Sequence, residues 1–309
     1  MIKKNSTIAN FNCTFGSKNM PMLEYFDKVV YPALKSDIIR KVKEDEYFFE
    51  NVEITETNQG RAILRGILVK KTKLEVRTEY DEDSGITFTN KFYDSAPISI
   101  FNIFLDNHRM IYTTNQKGSP DIRSFNATVK EVMTKYIKEY NKELPKSERV
   151  PFPVLDVVSI PSSKNIKEKL KTVKKIRKLT FKLFNPNGDF SVGDTYDGLR
   201  EQLKDLGSKK GAVSFNSPTK FKNVIETIND TKGLAEATLE VEYASGGKGK
   251  IDHDSMSERI SLDLPEDSSI GTVAKIVTDT LKDRDELKFV SDENNKIYKK
   301  NLKKILRLK

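Results

Sequence analysis

Basic side chains recur between residues 164 and 178 at a spacing that leaves only a narrow apolar line. Lys164, Lys167, Lys169, Lys171, Lys174, Lys175, Arg177 and Lys178 face a single acid, Glu168, giving this stretch a net charge of +7. Ile166, Leu170, Val173 and Ile176 follow at intervals of four, three and three, which predicts a helix over 164–177 with one buried stripe. The ammonium groups left on the remaining circumference are mobile point charges that track phosphates without a fixed geometry and read base edges poorly. The chemistry to expect is contact with a nucleic-acid backbone, independent of sequence.

Two further basic elements join this one. Residues 296–309 carry Lys296, Lys299, Lys300, Lys303, Lys304, Arg307 and Lys309 with no acid, again +7. This tail is amphipathic through Leu302, Ile305, Leu306 and Leu308, which predicts docking on the body or on a second subunit. Gly246-Gly247-Lys248-Gly249-Lys250 offers Lys248 and Lys250 to phosphates, although it lacks the glycine spacing and Gly-Lys-Ser/Thr of a nucleotide-binding loop. With a total charge of +9, the remaining 280 residues sum to −5, so the charge is concentrated rather than spread. A solvated face of a lysine-rich protein has the same composition, as does a helix that docks an acidic partner protein.

Other chemistry is less well supported. His108, in Asp106-Asn107-His108-Arg109, falls in a hairpin turn with no nucleophile or orienting acid nearby. His253 lies within Asp252-His253-Asp254, but neighbours on an extended chain point to opposite faces and do not readily share one metal ion. Glu53, Glu75, Glu79, Asp81 and Asp83 are candidate carboxylates for a metal-dependent nuclease or toxin, as are Asp189, Asp194 and Asp197 around the turn 185–188. Whether the chain is an enzyme stays open, the balance favouring a binding protein; no cofactor or metal is expected. Cys13 is the sole cysteine, so neither an internal disulfide nor a cysteine-based metal site can form.

The elements that position these residues read as α+β: two domains, with mixed or antiparallel sheets and helices packed on them. A strand at 6–15 precedes a helix face of Leu23, Phe26, Val30 and Leu34, interrupted at Pro32. Strands follow at 47–57, 61–70, 73–80, 86–92, 98–105 and 109–114, then a helix at 122–140. Residues 144–151 break every periodicity, dividing an N-terminal domain (1–144) from a C-terminal domain (152–290) and a basic amphipathic tail (291–309). Beyond the break, strands are expected at 152–160, 178–184, 212–215, 234–243 and 259–264. Helices are expected at 194–206, at 218–229 with Ser217 as cap, and at 268–282 with Asp267 as cap. Hydrophobic residues at 37%, charged residues at 32% and no long apolar run exclude a spanning helix. No apolar stretch follows the basic Met1–Asn5 segment, so no secretory leader is expected, and a cytoplasmic setting fits.

Leu179-Thr-Phe-Lys-Leu-Phe-Asn-Pro-Asn-Gly188, the hairpin at 244–250, the strand at 259–264 and the helix at 271–282 follow one another in an order with a parallel elsewhere. It resembles the A component of the phage lambda Rex exclusion system and related phage-defence proteins, with Asn185-Pro186 matching that group's asparagine-proline after a basic-and-aliphatic strand. The resemblance implies a homodimeric DNA-binding protein of abortive infection, with a partner protein of the same defence system and without an assigned catalytic site. The expected function is therefore sequence-independent binding of nucleic acid, DNA favoured over RNA. The contacts fall to Lys164, Lys167, Lys171, Lys174, Lys175, Arg177, Lys178, Lys248, Lys250, Lys299, Lys300, Lys303, Lys304 and Arg307.

Overall fold

The structure, a computed structural model, describes residues 1–184, 194–208, 210–266 and 268–309. The turn at 185–188, Asp189 and the Asp267 cap lie outside the described residues, and with them the ion-binding loop expected there. The first strand, β1 (Ile2–Phe15), organises the molecule. Its alternation sends Ala9, Phe11, Cys13 and Phe15 to one face and Ile8, Asn10, Asn12 and Thr14 to the other, and all eight are buried.

After the short β2 (Met20–Pro21), the chain winds through a 3-10 turn (Met22–Tyr25), a π turn (Phe26–Val30) and α1 (Tyr31–Leu34). Pro32 sits in the first turn of α1, where its missing N–H has no intrahelical partner to lose. A meander follows: β3 (Arg40–Val42), β4 (Asp45–Glu56), β5 (Ala62–Asp81), β6 (Gly85–Ser95), β7 (Ile98–Phe104) and β8 (Arg109–Thr114). The two strands expected at 61–70 and 73–80 are one strand, β5. Helix α2 (Ile122–Tyr140) takes the expected bounds, its first turn capped by the Asp121 side chain accepting from Ser124 N–H.

The second half contributes β9 (Pro153–Ser159), α3 (Ser163–Leu170), β10 (Val173–Phe184), α4 (Asp194–Asp205), β11 (Lys210–Asn216) and α5 (Phe221–Asp230). These are followed by β12 (Ala235–Tyr243), β13 (Lys248–Ile251), α6 (His253–Met256), β14 (Ile260–Leu264), α7 (Ile270–Leu281), α8 (Asp285–Lys288) and α9 (Asp292–Leu306). The fold is mixed α+β with two distinct sheets, one curled and one open, and helices packed alongside. The first sheet runs β14-β1-β8-β7-β5-β4-β3, with β2 and β9 also on β1 and β6 on β5; the second runs β11-β10-β12-β13.

Strand pairing runs across the boundary expected at 144–152. β9 belongs to the first sheet, pairing antiparallel with residues 9–15 of β1, and β14 pairs antiparallel with residues 2–6 on the same edge. Between them Ile160 N–H donates to Ile8 O at 2.9 Å. β9 and β14 are thus two halves of one interrupted strand, and the second sheet is inserted between them. The ends of the insertion meet: Pro161 and Ser257 form an antiparallel bridge, and Ser162 N–H donates to Met256 O at 3.0 Å. The residues at 144–151 break periodicity because they turn the chain from α2 into β9, with Asn141 bonding both polar groups of Val150. A loop signal in sequence marks a turn, and only pairing shows whether the next strand rejoins the same sheet.

Apolar packing forms on three faces. One face of the first sheet meets α1, α2 and α9, where the Phe125 ring contacts Phe11, Phe49, Phe101 and Tyr112 at centroid distances of 5.1–6.3 Å. The opposite face receives α7 and α8 through Val273, Val277, Leu281 and Leu287. The second sheet packs on α3, α5 and α6 through residues including Ile166, Ile176, Phe181, Ile228 and Met256. The tail forms α9 and docks on the body: Ile305 is buried in the first core, with Leu302, Leu306 and Leu308 against it. Tyr298 OH accepts from Ala62 N–H at 2.9 Å.

Candidate nucleic-acid interface

The lysine-rich stretch is not one helix. α3 ends at Leu170, and from Val173 the chain is the strand β10, central in the second sheet. The cause lies in two register shifts against β12, between Val173 and Lys175 and between Ile176 and Lys178. Each bulge adds a residue to the strand, so buried positions fall three apart instead of two. Val173, Ile176 and Leu179 are buried on that spacing, with Lys174-Lys175 and Arg177-Lys178 between them. A bulged strand therefore imitates a helical period. The Ser217 cap is likewise corrected: Ser217 has φ +51° and donates its N–H to Arg177 O, and α5 starts at Phe221 after Lys220.

The register brings together cations that are far apart in sequence. β12 lies between β10 and β13, and its Glu240 and Glu242 sit opposite Lys178 and Lys175 on one side and Lys250 and Lys248 on the other. Ala244 N–H donates to Thr172 O at 2.9 Å, which ties the tip of the β12–β13 hairpin to the α3–β10 corner. Lys171, Lys174, Lys175, Arg177, Lys248 and Lys250 are exposed around this end of the sheet, and Lys178 is partly so. Some are engaged: Lys171 with Glu168 at 2.7 Å, Lys250 with Asp252 at 3.2 Å and Lys174 with Glu242 at 3.8 Å. These are exposed, screened pairs that a phosphate can displace at little cost. Lys175, Arg177, Lys178 and Lys248 have no carboxylate within ion-pair distance among the described residues. Lys164 and Lys167 are exposed on α3, leading into the corner.

The tail cations are elsewhere. Lys299, Lys300, Lys303, Lys304 and Arg307 are exposed on α9, which packs on β5 and the 22–30 turns of the first sheet. Lys300 is held by Glu24 at 2.7 Å.

His253, Glu53, Glu75, Glu79 and Asp81, singled out for catalysis, make contacts within the fold, while the side chains of Asp189, Asp194 and Asp197 lie outside the described residues. His253 is buried between the sheets. Its Nδ1 accepts from Ala237 N–H at 3.0 Å, so the ring proton is on Nε2, which donates to Ser159 O at 2.6 Å. Ser159 Oγ meets Ser257 Oγ at 2.6 Å and Asp254 at 3.1 Å, yet with both ring nitrogens committed the imidazole is not placed to activate either serine. Burial pulls the His253 pKa below its ordinary value, against the Ser159 bond and the nearby Asp254 and Glu236. Asp106 and Asn107 of the His108 hairpin clasp the C-terminal segment. Asp106 takes a bidentate pair from Arg61 at 2.6 and 2.8 Å, and Asn107 Nδ2 donates to the carbonyls of Leu287 and Phe289 at 2.8 and 3.0 Å.

Glu53, Glu75 and Glu79 pair with Arg65, Arg77 and Lys91, and Asp81 accepts from the backbone of its own turn. Among the described residues no three of His, Cys, Asp and Glu are grouped to hold a metal ion. Asp156, on β9, was not singled out in sequence: its carboxylate takes Lys210 Nζ at 2.6 Å, and burial outweighs that ammonium, raising its pKa. A cleft of about 290 Å³ beside α2 is lined by Tyr112, Arg123, Ser159, Asp254 and Arg259, with Arg123 paired to Asp254 at 2.7 Å.

The stretch from β1 through the interrupted strand to the start of α7 coincides with the span of one family model, which matches residues 4–270. The chain belongs to the DUF4747 family, a domain of unknown function. The DUF4747 match thus takes in both sheets and the basic end of the second, and stops before α8 and α9. No curated protein matches the chain. No helix among the described residues is long and apolar enough to cross a membrane.

Proposed function

We propose that this DUF4747 chain binds nucleic acid through phosphate contacts, without reading sequence, at the basic end of the second sheet. The observation that carries the reading is the sheet register, which sets Lys175 and Lys178 of β10 in line with Lys248 and Lys250 of β13 across Glu242 and Glu240 of β12, with Lys174 and Arg177 next to them on the bulges. A hairpin tip and a helix–strand corner, both exposed, frame this end of the sheet. Lysine dominates this end, which favours backbone tracking over base readout. The resemblance to phage-exclusion proteins supports duplex DNA as the polyanion and phage defence as the setting.

The test is a binding titration of duplex DNA, single-stranded DNA and RNA against salt. Four to five lysine–phosphate contacts give a logarithmic salt slope of about −4 on duplex DNA, and hence a loss of two to three decades between roughly 50 and 200 mM salt. Unrelated duplex sequences should bind alike. Absence of binding to every nucleic acid at about 50 mM salt sinks the reading, since phosphate contacts are strongest there.

A further inference from the structure

β5 pairs with β4 as far as Lys71 and with β7 over 63–69, and from Thr72 onward its partner is β6. Residues 72–81 and 85–95 therefore leave the sheet as a two-stranded ribbon, roughly 33 Å long at the rise of an extended strand. Cross-strand partners share a face, and Leu74 is opposite Tyr93. Beyond the register shift between Val76 and Thr78 the pairing advances two residues on β5 and three on β6, which brings Phe88 opposite Thr78 and Ile86 opposite Tyr80. Without that bulge Ile86 and Phe88 would lie on the face away from Tyr93. With it, Leu74, Tyr80, Ile86, Phe88 and Tyr93 share one face, 59%, 75%, 69%, 90% and 49% exposed, interrupted at mid-length by Lys91 opposite Val76. Glu75, Arg77, Asp81 and the exposed Phe92 opposite Glu75 line the other side, Glu75 and Arg77 as an ion pair at 3.0 Å.

We infer that this face is covered by the same face of a second copy of the chain, the two ribbons lying antiparallel about a twofold axis. The inference is independent of the nucleic-acid reading. Extent is the first argument. Five side chains at these exposures amount to roughly 600 Å² of apolar surface, approaching the ~800 Å² per partner of a standard interface and at the upper end of what one patch on a monomer exposes. A twofold contact requires a patch to complement itself, and a row of aromatic and aliphatic groups does so, with Lys91 held by Glu79 at 2.8 Å.

Charge sets the direction. The tip carries Asp81, Glu82 and Asp83 with no cation among them, whereas the base carries Lys70, Lys71 and Lys73. Ribbons pointing the same way would set the two acidic tips side by side. Antiparallel ribbons hold them about a ribbon length apart, several times the ~8–10 Å screening length of physiological salt. The acidic tip also opposes a phosphate backbone, which argues against this ribbon as a second nucleic-acid contact.

Sedimentation equilibrium of the full chain from ~0.1 to ~100 μM should show a monomer–dimer equilibrium with a dissociation constant in the micromolar range, as such interfaces commonly give. Phe88→Glu touches no intrachain core and should shift that constant at least 10-fold toward monomer with an unchanged circular dichroism spectrum. Two cysteine variants fix the orientation, since the native Cys13 is buried and does not compete. Thr78→Cys, near the middle of the ribbon, should be joined between copies by a short bifunctional maleimide, since packed faces lie about 10 Å apart, and Glu82→Cys at the tip should not. A chain that is monomeric throughout overturns the proposal and leaves the face to a different partner. So does a dimer that Phe88→Glu leaves intact, or cross-linking at the tip but not the middle.

Discussion

His253 Nε2 lies 2.6 Å from the carbonyl oxygen of Ser159, joining the inserted unit to the strand it interrupts. Because Nδ1 must accept from Ala237 N–H, protonation would point two hydrogens at each other in a dry interface. The pKa in the folded chain is lowered, so the unfolded state binds the proton more readily. The stability this bond contributes is complete above the ordinary value near 6.5 and declines as pH falls through it toward the lowered native value. Denaturant midpoints measured from pH 7.5 down to about 5 should fall for the native chain. His253→Gln, whose amide can both accept and donate, should flatten that part of the profile relative to the native chain.

The Arg61–Asp106 pair should be among the most sensitive in the molecule. Its side chains are 16% and 9% exposed, the guanidinium lies 4.5 Å over the Phe104 ring, and it also donates to Leu287 O. Asp106→Ala strands a cation in that setting and should cost about 3–5 kcal/mol in urea unfolding. Proteolytic cleavage should appear first near α8, which the pair anchors.

Tyr298 gives a direct reading of whether the tail is structural. Tyr298→Phe leaves the Ala62 N–H without its acceptor, and the expected loss is about 1–2 kcal/mol. Removing residues 292–309 should destabilise far more, because it uncovers the first core. Equal stability of the full and shortened chains would show that α9 is dispensable.

Gly66 leaves room for the ring of Phe101, its cross-strand partner on β7. A Cβ there would lie 2.6 Å from Phe101 Cζ and 3.0 Å from Val52 Cγ2. Gly66→Ala should therefore destabilise by about 1–3 kcal/mol through overpacking, read as a lowered midpoint with an unchanged denaturant slope.

For the basic end, replacing Lys174, Lys175, Arg177 and Lys248 by Gln should reduce the duplex-DNA salt slope by about 0.9 for each contact removed. Replacing Lys299, Lys303, Lys304 and Arg307 should leave it unchanged, because α9 is part of the first sheet's packing. The reverse result would move the interface to the tail.

Local periodicity carried the reading wherever one rule acted alone. Helix α2 and the hairpin of β7 and β8 follow from their apolar spacing and turn residues. The expected helix holds over 164–170, and beyond Val173 two bulges give a strand the three-residue spacing of a helix. β-branched Val173, Ile176 and Thr180, with charges in adjacent pairs between the buried positions, were the available signal. Non-local pairing left no such trace. Nothing near Pro153 announces that the next strand rejoins β1, and nothing near His253 shows that its ring spans two sheets. The cations could be listed from sequence, but their grouping needed the register of β12.

The interrupted strand has a consequence in time. Residues 260–264 leave the ribosome roughly 10–50 s after Phe15 at ordinary elongation rates, and until then the part of β1 they will cover has an open edge. Such an edge is a template for mispairing with a neighbouring nascent chain. The insertion shortens the exposure, because its sheet pairs only strands of its own and its ends close on each other at Pro161 and Ser257. Once folded, it delivers β14 directly beside the vacant edge, so a loop closure of about a hundred residues is settled before the final strand has to search for its place.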